Sequence, residues 1–524
     1  MTTDREAVLG RLMLAFDGMT LPESMTSRLR SRPAAGVTLF RHVNVADPGQ
    51  LRNLTDAIQA PAPPQTPFLI AIDQEGGQLA GLGDAATPFA GAMALGAAGD
   101  ASLAERVGAA VGLELRAAGV NLNYAPVCDL ATDPANPGLG VRSFGDDPGA
   151  AGELVAAVVR GHAASGVATT LKHFPGIGAL SADTHHGLVA VEADASLLRS
   201  RELIPFRRGI EAGADLVMSS HAAVPAIGGA ADLPATGDRA VVTGLLRDEL
   251  GFGGVAISDA FNMRALAQDP TGRVIEAIAA LSAGLDLLLL TADPAGAGLD
   301  DALVLAASRG LVTGTDAALG RIAALRRRLA GSADAAPEPS VIGCVAHRAL
   351  AAELARRSIT LVRDDGLIPL HPSPSDEILV VMPRPVDLTP ADTSSTVAAG
   401  LAAAIRRHHP RVSEHLVDWD PDAGQLAAAR AAAAGAHLLV IGTISASLAP
   451  GQVALVEALL ALGLPTVTVA LRTPWDLDAY PAARTHACTY SILEPSLTAL
   501  ADGLFGRAPF PGRLPVRLAA APTR

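Results

Sequence analysis

The chain has 524 residues, 49% of them hydrophobic and 18% charged, with 40 basic against 53 acidic side chains for a formal charge of −13. That length exceeds one compact core and the composition supplies ample material for two domains. An acidic chain whose basic residues cluster only at Arg326-Arg327-Arg328 lacks the positive stripe that nucleic acid or an anionic membrane requires.

Three cysteines, Cys128, Cys344 and Cys488, stand far apart, so they form neither a disulfide framework nor a zinc motif. The first 20 residues carry early acids and no sustained apolar stretch, which excludes a signal peptide pattern. The apolar run Leu285-Leu290 is far too short to span a bilayer. A cytoplasmic protein with no membrane or nucleic-acid partner is expected; the oligomeric state is left open.

In chain order, short β-rich apolar runs occur at Gly36-Phe40, Phe68-Asp73, Val120-Leu130, Val167-Phe174, Asp215-Ser219, Gly254-Asp259 and Leu285-Leu290. The segments between them have room for a helix. Ser102 followed by Glu105 has the spacing of a capping box, and Leu103, Val107, Val111 and Leu115 behind it share one helical face. Val242-Leu250 reads as another helix, with Gly251 where a C-terminal glycine belongs. Alternation of strand and helix implies a parallel sheet, and seven or eight units predict a (β/α)₈ barrel over residues 1–328. An open doubly wound sheet is the alternative, but neither G-x-G-x-x-G after an early strand nor G-x-x-x-x-G-K-[ST] is present. Residues 329–343, rich in Ala, Pro and Ser, read as a linker. Strands return at Ile378-Met382, His437-Gly442, Thr466-Leu471 and Ala487-Ile492, with a helix at Val453-Leu462. They predict a smaller α/β sandwich over residues 344–524.

Catalytic groups of a barrel gather at the C-terminal ends of its strands. Here those ends carry Asp73, then Asn123 and Asp129, then Lys172-His173, then His221, then Asp259. Each has a plainer reading. Asp259 suits a helix N-cap, Asp73 a turn at Gly76-Gly77, His221 a satisfied core position, and Lys172 a snorkelling strand end. Adjacent His185-His186 is poor metal-site spacing. Polar groups at five strand ends of one rim point instead to a polar pocket.

These residues resemble the β-N-acetylglucosaminidase branch of glycoside hydrolase family 3. The resemblance rests on Asp73-Gln-Glu-Gly-Gly77, Asn123-Tyr-Ala-Pro-Val-Cys-Asp129, Arg142-Ser-Phe-Gly145, Lys172-His-Phe-Pro-Gly176 with Asp183-Thr-His185, and Leu246-Arg-Asp-Glu-Leu-Gly-Phe252 leading to Ile257-Ser-Asp259. It covers roughly residues 8–330 and continues more weakly at Ser358-Ile-Thr-Leu-Val and Phe510-Pro-Gly-Arg-Leu-Pro-Val516. It implies a retaining hydrolase of terminal β-linked N-acetylglucosamine, in cell-wall (muropeptide) sugar recycling. Asp259 is then the nucleophile, with a dyad of His185 and Asp183 as acid/base. An imidazole near pKa 6.5 can donate and then accept a proton near neutrality. The same resemblance assigns Asp73, Arg142, Lys172, His173 and His221 to sugar binding. It implies a small carbohydrate as the only ligand, no cofactor and no metal.

The sequence departs from the family's pattern where arginines usually follow Asp-Gln-Glu-Gly-Gly: here stand Gln78 and Gly81. The loop usually reading Gly-His-Gly reads Gly176-Ile177-Gly178. Two further readings therefore stand beside the first. One is a phosphorylase or another β-glycosidase of the family, since a neutral imidazole repels phosphate less than a carboxylate does. The other is a catalytically silent sugar-binding protein that has lost its positioning groups.

Overall fold

The computed structural model describes residues 4–31, 34–180, 187–292, 298–333 and 337–520. Eight strands close a parallel barrel: β1 (Leu12–Leu14), β2 (Gly36–Thr38), β3 (Leu69–Ile72), β4 (Leu122–Asn123), β5 (Ala168–Phe174), β6 (Leu216–Ser219), β7 (Val255–Ala260) and β8 (Leu287–Leu289). Each strand pairs with its neighbours in sequence, and β8 returns to β1 through Leu12 opposite Leu288. The expected fold class is the one found. The eighth strand is β1, whose three residues no periodicity reveals. The long run read at Val120-Leu130 forms a strand only over Leu122–Asn123, though it stays bonded to β5 further on, where Val127 bridges Lys172 and Cys128 N donates to Lys172 O at 2.6 Å.

Helix starts around the barrel repeat one device. Asp47, Asp147 and Asp269 each precede a proline at the first helical position, and each carboxylate accepts backbone N–H groups of the first turn. The helix Ala101–Ala117 is capped by Asp100, which accepts from Leu103 N at 3.0 Å. The capping residue is thus Asp100 and not Ser102, because the helix begins two residues earlier than the Ser-Glu spacing suggests. Helix Ala240–Glu249 is wound with the wider π pitch and ends before Gly251, whose φ of +68° fits a left-handed stop.

Met13, Leu69, Leu122, Leu216, Val255 and Leu287 fill the barrel interior, and a larger apolar layer separates strands from helices. Helix Thr315–Ala333 brings Ile322, Leu325 and Leu329 to the interior cluster, so the first residues of the expected linker are helical.

A six-stranded sheet follows: β9 (Thr360–Arg363), β10 (Ile378–Pro383), β11 (Val412–Val417), β12 (Leu438–Thr443), β13 (Thr466–Ala470) and β14 (Thr485–Cys488), in the order β9-β14-β13-β12-β10-β11. Only β9 runs antiparallel, at one edge. Ile378, Val380 and Met382 enter one apolar layer while Leu379 and Val381 enter the other. Both faces are buried, as a parallel sheet requires. Trp475, Tyr490 and Val516 of this half belong to the barrel's main apolar layer. Glu114 also joins the halves, accepting from Thr87 N at 3.0 Å, Gly343 N at 3.1 Å and His347 Nδ1 at 2.8 Å. Among the described residues no helix is long and apolar enough to cross a membrane.

Candidate active site

Asp73 follows the last residue of β3, and the chain then folds into a two-stranded hairpin, Gln74–Gly76 with Leu79–Ala80. The backbone at this point is held from β4. Asn123 accepts from Gln74 N at 3.0 Å and donates to Gln74 O at 3.0 Å. Its second N–H meets His162 Nε2 at 3.0 Å, while His162 Nδ1 lies 3.0 Å from Val158 O. A carbonyl accepts only, so Nδ1 carries the proton and Nε2 accepts. Burial lowers the His162 pKa to about 4, which keeps the ring neutral.

Fixing Gln74 fixes the carboxylates on either side of it. Lys172, buried on β5, reaches Asp73 Oδ1 at 2.5 Å and Glu75 Oε1 at 2.6 Å. Arg142 grips Glu75 with two parallel bonds, Nε to Oε2 and Nη2 to Oε1, both 2.8 Å, and donates Nη1 to Gly138 O at 2.9 Å. Burial alone would raise the Glu75 pKa, but Arg142 and Lys172 outweigh it and bring it down to about 2. Burial works likewise against the Lys172 ammonium, yet Asp73 and Glu75 hold its pKa above the ordinary lysine value. Glu75, Arg142 and Lys172 thus form a buried charged cluster, and Asp73, its side chain 27% exposed, joins it through Lys172 at the pocket surface. Glu75, the shared partner, lies inside a quoted motif but was not among the expected site residues; the signal for it was its place two residues beyond a strand-end aspartate.

The peptide joining Lys172 and His173 is cis. His173 Nδ1 and backbone N both meet Asp129 Oδ2, at 2.7 and 3.1 Å, and Asp129 Oδ1 accepts from Ile177 N at 2.8 Å. Asp129 therefore sets the ring and the start of the following loop together. Ile177 keeps its backbone bonds and turns its side chain onto the apolar layer.

Across the rim, Asp259 is the penultimate residue of β7, with Oδ1 accepting from Ala260 N at 2.7 Å. Tyr124 lies fully buried below, its hydroxyl 2.9 Å from Thr38 Oγ1. Burial above all, helped by the Asp73 and Asp259 carboxylates, pushes the Tyr124 pKa up. A pocket of about 630 Å³ is lined by Asp73, Arg142, Lys172, His173 and Asp259 together. His221, expected at the sugar, is 0% exposed and is not among the residues that line this pocket. The chain past β6 turns inward, and the ring meets Thr236 Oγ1 at 2.7 Å and Ala260 O at 3.1 Å, beside Asp259. Asp183 and His185 lie outside the described residues.

The two departures are structural. Gly81 has no room for a side chain, since a Cβ would stand 2.5 Å from Asp73 O and 2.6 Å from Ile72 Cγ1. Gln78 is buried and its amide accepts from Arg472 of the second domain. Among the described residues no cluster of three or more His, Cys, Asp or Glu is placed to hold a metal. The pocket offers ionised donors and acceptors at close spacing, the chemistry that binds a polyol, and one strand-end carboxylate across from them.

Residues 14–324 match the glycosyl hydrolase family 3 N-terminal domain. Beta-hexosaminidase A of Pseudoalteromonas piscicida is 34% identical over 396 residues, which take in 70% of this chain and 65% of that protein. The chain thus matches slightly under two thirds of that relative's length. A beta-hexosaminidase of Stenotrophomonas maltophilia (strain K279a) is 37% identical over 285 residues, 53% of this chain and 82% of that one. In three dimensions, a family 3 beta-N-acetylglucosaminidase from Paenibacillus sp. str. FPU-7 superposes with a TM-score of 0.92 at 33% identity, covering 99% of both chains.

Proposed function

This chain belongs to glycosyl hydrolase family 3, and on that premise we propose that it is a retaining β-N-acetylglucosaminidase. The observation that carries the reading is Asp259 at the end of β7, facing one pocket with Asp73, Arg142, Lys172 and His173. In this reading the four charged or hydrogen-bonding groups hold the hydroxyls of a terminal sugar. Asp259 attacks the anomeric carbon, and the bond to the leaving oxygen breaks as that oxygen takes a proton from His185. Asp183 orients the ring and stabilises its charged form. In the second step water loses a proton to His185 and displaces Asp259, releasing the sugar with its original configuration. His221 acts through Asp259 by holding Ala260 O. The N-acetyl preference is supported by the beta-hexosaminidases and the beta-N-acetylglucosaminidase that this chain resembles. The resemblance also carries a setting, cell-wall sugar recycling, for which N-acetylglucosamine β-linked to N-acetylmuramic acid is the substrate to try.

The test is release from an aryl β-N-acetylglucosaminide beside the aryl β-glucoside, each with and without phosphate. Hydrolysis of the N-acetyl substrate alone, unaffected by phosphate and lost by at least about 10³-fold in Asp259→Ala, is the expected result. Unchanged turnover in that variant sinks the assignment of Asp259, and phosphate-dependent release of a sugar 1-phosphate sinks hydrolysis.

A further inference from the structure

The second domain carries none of the groups used in the proposed chemistry, yet it forms part of the pocket. Pro390, Ala391, Asp392 and Thr393 line the same cavity as Asp73, Lys172 and Asp259. This segment, residues 388–396, lies between β10 and β11, and it is pinned to the barrel hairpin that follows Asp73. Thr393 gives its N and Oγ1 to Gln78 O at 2.7 and 2.9 Å, and its Oγ1 lies 3.3 Å from Ala80 N. Arg41 reaches from the barrel to Thr396 Oγ1 at 2.9 Å.

Behind this seam stands Arg472, two residues past β13. Its Nη2 donates to Gln78 Oε1 and its Nη1 to Asp392 Oδ2 at 2.8 Å. Asp392 spends its oxygens further on its own segment, accepting from Leu388 N at 3.2 Å and Ser394 N at 2.9 Å. Arg472 and Asp392 have side chains 4% and 0% exposed, so the bond between them is a buried ion pair with no water to replace it. A third segment meets them: a Cβ on Gly140 would stand 3.1 Å from Gln78 Oε1 and 3.8 Å from Arg472 Nη2. Gly140 precedes Arg142, which grips Glu75. One guanidinium from the second domain thus touches the barrel hairpin carrying Glu75, approaches the loop carrying Arg142, and holds the segment that walls the pocket. The forked geometry matters, because two acceptors on different segments are met by two N–H groups of one rigid plane.

We propose that Arg472 is a positioning residue of the pocket: by bridging Gln78 of the barrel and Asp392 of the second domain it holds segment 388–396 as a fixed wall. Ligand affinity then depends on a side chain outside the pocket, and the pocket is complete only when the two domains are docked. Gln78, which replaces an arginine of the family's pattern, is the barrel's half of this joint.

The inference rests on the proposed activity for its kinetic readout only. Full-length Arg472→Lys keeps the charge beside Asp392 but cannot make both bonds, and Gln78→Ala removes the barrel acceptor. For both, KM for the aryl β-N-acetylglucosaminide should rise about 10-fold with kcat within about two-fold of the parent. Amide exchange in residues 388–396 should accelerate by at least about 10-fold. The double variant should be little worse than the worse single one, since both break one bridge. An unchanged KM in both variants, or unchanged exchange in the segment, overturns the proposal; so does a lowered Tm with KM unmoved, the mark of a purely structural role. If the parent chain cleaves no aryl glycoside the activity reading fails, and calorimetric N-acetylglucosamine affinity with the exchange rates decides the bridge.

Discussion

Glu75 carries more of the pocket than any other single residue, because Lys172 and Arg142 both depend on its charge. Removing that charge leaves two buried cations facing one partner fewer, the situation in which breaking an ion pair costs about 3–5 kcal/mol. Glu75→Gln should lower stability by that order in urea unfolding, and it should weaken sugar binding as Lys172 shifts toward Asp73. The pH dependence has a definite sign. With its pKa lowered to about 2, Glu75 contributes stability in full above its unfolded value near 4.5, and loses it as pH falls toward 2. The variant should show a shallower loss of Tm across that window, and an equally steep loss would refute the role. Gly81 makes the opposite kind of prediction. Restoring the family's arginine there puts a Cβ against Asp73 O, so Gly81→Arg should reduce kcat/KM instead of improving it. At this scale Asp73, Arg142, Lys172, His173 and Asp259 were legible, because each stands at the end of an apolar run or in a quoted motif. Glu75 was missed because its partners are brought to it only by barrel closure. His221 was legible as a strand-end histidine but not as one turned inward, since the direction of a loop is not written in its residue types.

Between elements, the pocket is positioned by bonds running sideways from strand to strand. Asn123 on β4 clamps both backbone groups of Gln74 at the end of β3, and His162 completes the amide from the helix Pro148–Ser165. Asn123→Ala leaves those backbone groups buried without partners, a cost of about 1–3 kcal/mol, and should raise KM by freeing Asp73 and Glu75. A crystal structure of the variant showing an unmoved hairpin would contradict this. The His162 ring, neutral with a pKa near 4, stabilises the fold above its unfolded value of about 6.5 and loses that contribution as pH falls toward 4. Most strands were legible from apolar runs between helical spacers. β1, β9 and β11 were not: Leu12–Leu14 is too short to show a period, Thr360–Arg363 buries only its first residue, and Val412–Val417 only its last. Helix Ala101–Ala117 was legible from its apolar face, whereas its first residue was decided by Asp100, two positions before the serine that mimics a cap.

Taken whole, the molecule shares one apolar layer between barrel and sandwich, through Trp475, Tyr490 and Val516. Calorimetry should therefore give one cooperative unfolding transition, and two resolved transitions would show that the shared layer does not couple the halves. Tyr490→Ala should destabilise by about 3–5 kcal/mol, as removal of a buried aromatic does, and lower the midpoint for both halves together. The order of the barrel strands has a consequence for how the chain is made. β1 leaves the ribosome well ahead of one of its two neighbours, β8, which ends at Leu289. At a synthesis rate of about 5–20 residues per second, that partner arrives roughly 15–60 s later. Throughout that interval Leu12-Met13-Leu14 offers an open, apolar edge, so the nascent chain must be shielded before the ring of strands can shut.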